Sequence, residues 1–300
     1  MASLYLVDSS IFVFRAWHSQ PDSLCNRRGQ PNNAWLGFTD FVHQLLTVEK
    51  PRELVFAFDR SLRSSLRHEI YPDYKANRPP APEELKRQFQ WCEEWVRALG
   101  YEAVSSTRYE ADDLIGSLAE RHRSAQRRIV ILTADKDLAQ LVRGRDLWWN
   151  WYGGQQRGYR ALHRHFGVRP EQIADQLALA GDKVDNIPGI PGIGMTIAGR
   201  LLCKFGDLAT LRANLGEVEK MKFRGALRVA RLLREHEPVL DISSRLTPVY
   251  CDAPEVTDTR IEQGAIDVDT LQRMMDEQRM GATRRRSWQA WIERQQARAA

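Results

Sequence analysis

IVILTADKD, residues 129–137, is an apolar run followed closely by one acid and, two positions later, by another. So short and apolar a segment reads as a buried strand, Ile129 to Leu132, with Asp135 just past its end. The arrangement recurs at Leu4 to Val7 with Asp8, and at Leu54 to Phe58 with Asp59. Tyr101 to Val104 and Leu147 to Trp151 are weaker strand candidates, and helical periodicity fills the intervals. Strands alternating with helices predict an α/β fold, a central and mainly parallel sheet flanked by helices, with its site at the carboxyl ends of the strands.

More acids join this set. Glu110, Asp112 and Asp113 open the helical segment EADDLIGSLAERH. One acid there is an ordinary partner of the helix dipole, but three in four positions exceed what a cap requires. Asp182 and Asp185 stand beside the glycine-rich GDKVDNIPGIPGIG. Asp135 and Asp137 could be simple turn formers on their own. Gathered together, Asp8, Asp59, Glu110, Asp112, Asp113, Asp135, Asp137, Asp182 and Asp185 would repel one another unless cations lay between them. Oxygen-only clusters suit Mg²⁺ or Mn²⁺, so the pattern predicts a two-metal phosphodiesterase site. Asp112 and Asp135 are its expected catalytic core.

The chain has 300 residues, is 43% apolar and carries a formal charge of +5. With nine acids drawn into one site, the remaining surface is more basic still, which suits a polyanionic partner. Cys25, Cys92, Cys203 and Cys251 are scattered singly and indicate neither a zinc site nor a disulfide framework. No stretch has membrane-spanning length and no leader is evident, which predicts a cytoplasmic enzyme, expected as a monomer.

Between Arg60 and Arg78, cations (Arg63, Arg67, Lys75 and Arg78 among them) alternate with Tyr71 and Tyr74. Cations that track phosphates and rings that stack on bases predict a guide for single-stranded nucleic acid, with Lys75 and Arg78 at the scissile phosphate. Arg15 is a further candidate contact. From Gly181 the texture changes to a glycine and proline hairpin followed by basic helical sequence. There Gly192, Gly194, Thr196, Arg200 and Lys204 are expected to meet a duplex strand. Trp148, Trp149 and Trp151 read as sheet packing, and the last helix, SWQAWIERQQARAA, as a solvated one.

LYLVDSSIFVFRAWHS, GQPNNAWLGF, LVFAFDR, YPDYKANR, YEADDLIGSLA, ILTADKDLAQLV and GDKVDNIPGIPGIGMTIAGRLL occur in this order over about the first 210 residues. In these stretches the chain resembles the bacterial and phage 5′-3′ exonucleases, relatives of flap endonucleases that also form the N-terminal domain of bacterial DNA polymerase I. The resemblance implies a helical arch at about 60–82 over a nuclease domain spanning 1–180. It also implies a helix-three-turn-helix DNA-binding subdomain in 181–250, leaving 251–300 as a C-terminal extension. By motif position one metal falls to Asp8, Asp59, Glu110 and Asp112, and the other to Asp113, Asp135, Asp137 and Asp185, with Asp182 nearby. Lys75 would assist catalysis, Arg78 would position the phosphate, and backbone carbonyls of Gly189, Ile190, Gly192 and Ile193 would hold K⁺. The implied activity is structure-selective cleavage of DNA at 5′ ends, nicks or flaps, with a DNA polymerase as a partner in trans. A non-catalytic branched-DNA binder and an RNA-processing nuclease are the competing readings.

Overall fold

Leu4 and Leu6 pack on one side of the first strand while Tyr5 and Val7 pack on the other, and all four are buried. Alternation in a strand covered on both faces requires apolar residues at every position, which is why these runs are unbroken. The computed structural model describes residues 2–60 and 65–299, and Arg63 lies outside them. Six strands are present: β1 (Ala2–Asp8), β2 (Glu53–Asp59), β3 (Glu102–Ser106), β4 (Arg127–Leu132), β5 (Leu147–Asn150) and β6 (Gln155–Gly158). They lie in the order β3-β2-β1-β4-β5-β6. All pairings are parallel except β5 with β6.

On the face holding Tyr5 and Val7 lie α1 (Ser9–Ser19) and α2 (Asn33–Val48). The short α3 (Leu66–Ile70) follows β2 within the basic stretch, and α4 (Glu83–Ala98) returns to the same face. The opposite face is covered by α5 (Ala111–His122). A second core joins α6 (Tyr159–Phe166), α7 (Ile173–Ala180), α8 (Met195–Phe205), α9 (Leu208–Ala213), α10 (Leu215–Val218), α11 (Ala226–Glu235) and α12 (Glu237–Leu246).

The chain closes with α13 (Val268–Glu277) and α14 (Ala282–Ala299), which return to the first core. Here the expectation of a solvated terminal helix is corrected. Trp288 is 1% exposed and meets Trp95 edge-on at 5.0 Å, and Trp95 meets Trp35 at 5.3 Å in the same way. Weak helical periodicity concealed this, because α14 buries two tryptophans and one isoleucine rather than a long apolar stripe. Trp148 and Trp149 are buried in β5, as sheet packing requires. The four cysteines are free, and no helix among the described residues is long and apolar enough to cross a membrane.

Candidate functional site

From β1 the chain builds outward to β2 and β3, then crosses back to β4 and β5 on the other side. Such a reversal leaves a crevice at the carboxyl ends of the two diverging strands, here β1 and β4. Asp8 ends β1 and Asp59 ends β2, while Thr133 and Asp135 follow β4. The Thr133 hydroxyl donates to Asp8 Oδ2 at 2.8 Å and accepts the Asp135 backbone N–H at 2.8 Å. Asp135 Oδ1 in turn accepts the Asp137 N–H at 2.8 Å. The Trp148 indole N–H holds the Asp135 carbonyl at 2.7 Å. Asp59 Oδ1 accepts the Ala111 N–H at 2.8 Å, which fastens the first turn of α5 to the end of β2 and brings Asp112 into the crevice.

The mutual electrostatics of these acids show that they share one space. Burial, then Asp59, with Asp135 adding, pushes the Asp8 carboxyl up to about 8. Asp112 is driven well above the ordinary carboxylate range by burial and then by Asp135, Asp8 and Asp59. Asp135 is raised by burial, with Asp185 adding to it. Burial, then Asp135, with Asp182 contributing, lifts Asp137 to about 7. Like charges crowded in low dielectric favour the protonated form until something cationic offsets them.

Protein cations meet the rim of this cluster. Lys75 Nζ lies 2.9 Å from Glu110 Oε2 and 3.8 Å from Asp185 Oδ2, and Arg78 pairs with Asp185. Lys136 Nζ bridges Asp182 at 2.5 Å and Asp137 at 3.1 Å. Burial would raise the Glu110 carboxyl, but Lys75 and Arg67 outweigh it and hold it at about 2. Lys75 sits in the left-handed backbone region, φ 54°, and its N–H bonds the Asp185 carbonyl at 2.9 Å, so the turn itself aims the ammonium at the acids.

Among the described residues, no three acidic, imidazole or thiol groups are gathered closely enough to hold an ion as they stand. The donor set nonetheless fits hard divalent ions. It consists of oxygens alone, it is crowded to the point of raised carboxyl pKa values, and it includes a buried Glu110 Oε1 with no hydrogen-bond partner. One oxygen each of Glu110, Asp182 and Asp185 is turned onto lysine or arginine.

Three expectations are corrected by packing. Arg67, taken as a contact to nucleic acid, is 3% exposed and donates to Asp113 through both terminal nitrogens at 2.8 Å. Asp113, taken as a metal ligand, is fully buried, and its oxygens also accept the N–H groups of Glu110 at 3.1 Å and Tyr250 at 2.9 Å. An acid three residues past a helix cap commonly bonds back to the cap, and that role has won here. Tyr74, read as a ring for stacking, is also buried, its hydroxyl 3.0 Å from Glu110 and 3.1 Å from Asp185. Thr133 and Lys136 were missed by the sequence reading. The only hint was their place in TADKD, beside acids already chosen.

Beside Asp59 a cleft of about 670 Å³ opens, lined among others by Phe14, Arg60, Lys86 and Phe89. Arg15 is exposed and lies over the Tyr152 ring at 4.1 Å. On the helical unit, Thr196, Arg200 and Lys204 are exposed one turn apart along α8, with Gly192 and Gly194 exposed just before it. Arg200 also lines a groove of about 710 Å³ with Arg164, His165, Lys222 and Arg224. The turn joining α7 to α8 depends on glycine at Gly189, where a Cβ would lie 2.2 Å from the Gly181 nitrogen. Within it the Ile190 carbonyl accepts the Ile193 N–H at 2.9 Å.

Residues 3–167 match the family described as 5′-3′ exonuclease, N-terminal resolvase-like domain, and residues 168–269 match 5′-3′ exonuclease, C-terminal SAM fold. A 5′-3′ exonuclease of Aquifex aeolicus is 33% identical over 93% of this chain and 93% of its own length. DNA polymerase I of Pseudomonas aeruginosa is 38% identical over 84% of the chain, which spans only 27% of that longer protein. Among solved structures, a T5 5′-exonuclease with bound zinc superposes with a TM-score of 0.64 at 20% identity, covering 92% of this chain and 99% of its own. The catalytic core of Rad2 in complex with DNA gives 0.61 at 18%, covering 92% and 88%. At those identities the structures bear on the fold alone. Matched across both domains, and colinear with a free-standing exonuclease over nearly its whole length, the chain belongs to the 5′-3′ exonuclease family.

Proposed function

We propose that this protein is a divalent-metal-dependent 5′ nuclease that hydrolyses DNA phosphodiester bonds at free 5′ ends, nicks and flaps. The observation that carries the reading is the convergence of Asp8, Asp59, Asp112, Asp135, Asp137, Asp182 and Asp185 at one crevice, close enough for each of the raised carboxyls to feel its neighbours. With Glu110 they would hold two ions, Mg²⁺ or Mn²⁺. Bound there, such ions supply an activated water and offset charge on the phosphate. A protein that only held branched DNA would have no use for a buried, self-repelling acid cluster.

The remaining roles fall to the chain's own cations. Lys75 and Arg78, now on Glu110 and Asp185, are within reach of a phosphate brought to those acids and would orient it. Arg15 and the cleft beside Asp59 would take the single-stranded 5′ portion. Gly192, Gly194, Thr196, Arg200 and Lys204, with the basic groove beside them, would grip the duplex. In this division of labour residues 1–180 cut and 181–250 hold. Carbonyls of the α7–α8 turn, from Gly189, Ile190, Gly192 and Ile193, would bind K⁺. A DNA polymerase acting in trans would supply the gap-filling step, and the nuclease would work as a monomer.

The test is product formation from a 5′-labelled panel of flap, nick, gap and blunt-end substrates, DNA and RNA in parallel, with Mg²⁺ or EDTA. Cleavage of DNA flaps that requires Mg²⁺ and is lost in Asp135→Ala is expected. Retained cleavage in EDTA would overturn the reading.

A further inference from the structure

Thr133 is fully buried at the switch point between β1 and β4, and its one hydroxyl joins the Asp8 carboxylate to the main chain of Asp135. It donates its single proton to Asp8 Oδ2, and its lone pairs receive the Asp135 N–H, each at 2.8 Å. Direction is therefore fixed along the chain amide to hydroxyl to carboxylate, and each bond polarises the next. The Thr133 N–H is itself anchored to the Trp149 carbonyl at 3.1 Å, and Trp148 holds the Asp135 carbonyl from the same strand. β5 thus braces Thr133 and Asp135. A β-branched side chain has few rotamers, so the hydroxyl has little freedom to leave this geometry.

We propose that Thr133 is a positioning residue for ion binding, holding Asp8 and Asp135 in register across the crevice so that both can serve the same pair of ions. This rests on the reading of those acids as metal ligands. The simpler role, satisfying a turn N–H after a strand, accounts for the bond from Asp135 but not for the one to Asp8. Partners that orient metal-binding groups are worth about 10- to 100-fold in metal affinity. Neither Thr133 nor its hydroxyl would touch substrate.

The experiment compares wild type, Thr133→Val, Thr133→Ala and Thr133→Ser by Mn²⁺ binding, followed by electron paramagnetic resonance without DNA, and by flap affinity in EDTA. Thr133→Val and Thr133→Ala should bind Mn²⁺ about tenfold or more weakly, with flap affinity in EDTA unchanged, and Thr133→Ser should bind nearly as wild type. Wild-type Mn²⁺ affinity in either folded hydroxyl-free variant would overturn the proposal. So would failure of both to fold while Thr133→Ser is normal, because the hydroxyl would then serve the fold rather than the ions. Asp135→Ala, measured alongside, separates the two levels: if it binds Mn²⁺ as wild type does, the acids themselves are misassigned.

Discussion

Arg67 grips Asp113 through two parallel hydrogen bonds of 2.8 Å while its remaining donors reach the carbonyls of Leu246 at 2.9 Å and Pro248 at 2.8 Å. One buried guanidinium thereby ties the segment after β2 to the start of α5 and to the end of α12. Breaking a buried pair from one side leaves the other charge stranded, at a cost of about 3–5 kcal/mol. Arg67→Ala should lower the unfolding free energy by that amount in urea titrations. A change under about 1 kcal/mol would show that the pair contributes little.

Removing an acid from the crowded cluster should separate stability from activity. Asp112→Asn takes away a charge that burial and three neighbouring carboxylates oppose. Turnover in Mg²⁺ is expected to fall by more than about a hundredfold while the melting temperature in EDTA rises. Calorimetry of the metal-free variant is the check, and a lowered melting temperature would contradict the crowding argument.

Acidity gives a signed prediction. Asp8 has a folded pKa of about 8, raised above its ordinary value near 3.8 by burial and then Asp59. Between those limits the native state holds a proton that the unfolded chain has released, so this group's contribution falls as pH rises from about 4 to about 8. Asp137, lifted to about 7 by burial and Asp135, acts in the same direction. In EDTA the protein should therefore lose stability across that interval, and saturating Mg²⁺ should flatten the decline because it binds the native form. A pH-independent Mg²⁺ increment in melting temperature would sink this account.

Lys75 should matter to chemistry more than to folding. Glu110 keeps Arg67, at 3.5 Å, and Tyr74 when the ammonium is removed. Lys75→Ala is expected to lower single-turnover cleavage by about 10²- to 10³-fold with DNA affinity nearly intact. Loss confined to affinity would assign the side chain to binding alone.

The terminal helix offers a test of packing. Trp288→Ala empties a buried aromatic position against Trp95 and Trp291, which typically costs about 3–5 kcal/mol. Urea unfolding should show this, whereas a solvated helix would tolerate the change within about 0.5 kcal/mol.

The parallel sheet was legible because a strand buried on both faces must be apolar at every position, and Leu4 to Val7, Leu54 to Phe58 and Ile129 to Leu132 all are. The acids at their ends were legible for the same reason, since polarity returns abruptly where burial stops. β6 was not: Gln155, Gln156, Arg157 and Gly158 carry no strand signature and are ordered by pairing with β5. Asp113 and Asp112 are adjacent and chemically identical, and two of the partners that make Asp113 structural, Arg67 46 positions earlier and Tyr250 137 positions later, are distant in sequence. A cation that is buried and one that is half-exposed look alike in sequence, as Arg67 and Arg78 do.

The attachment of Arg67 to the carbonyls of Leu246 and Pro248 bears on how the protein is made. Those acceptors emerge from the ribosome about 180 residues after the arginine, so the full brace beneath the start of α5 cannot close until that length of chain has been made. Until then the start of α5, with Asp112 beside it, would lack this anchor.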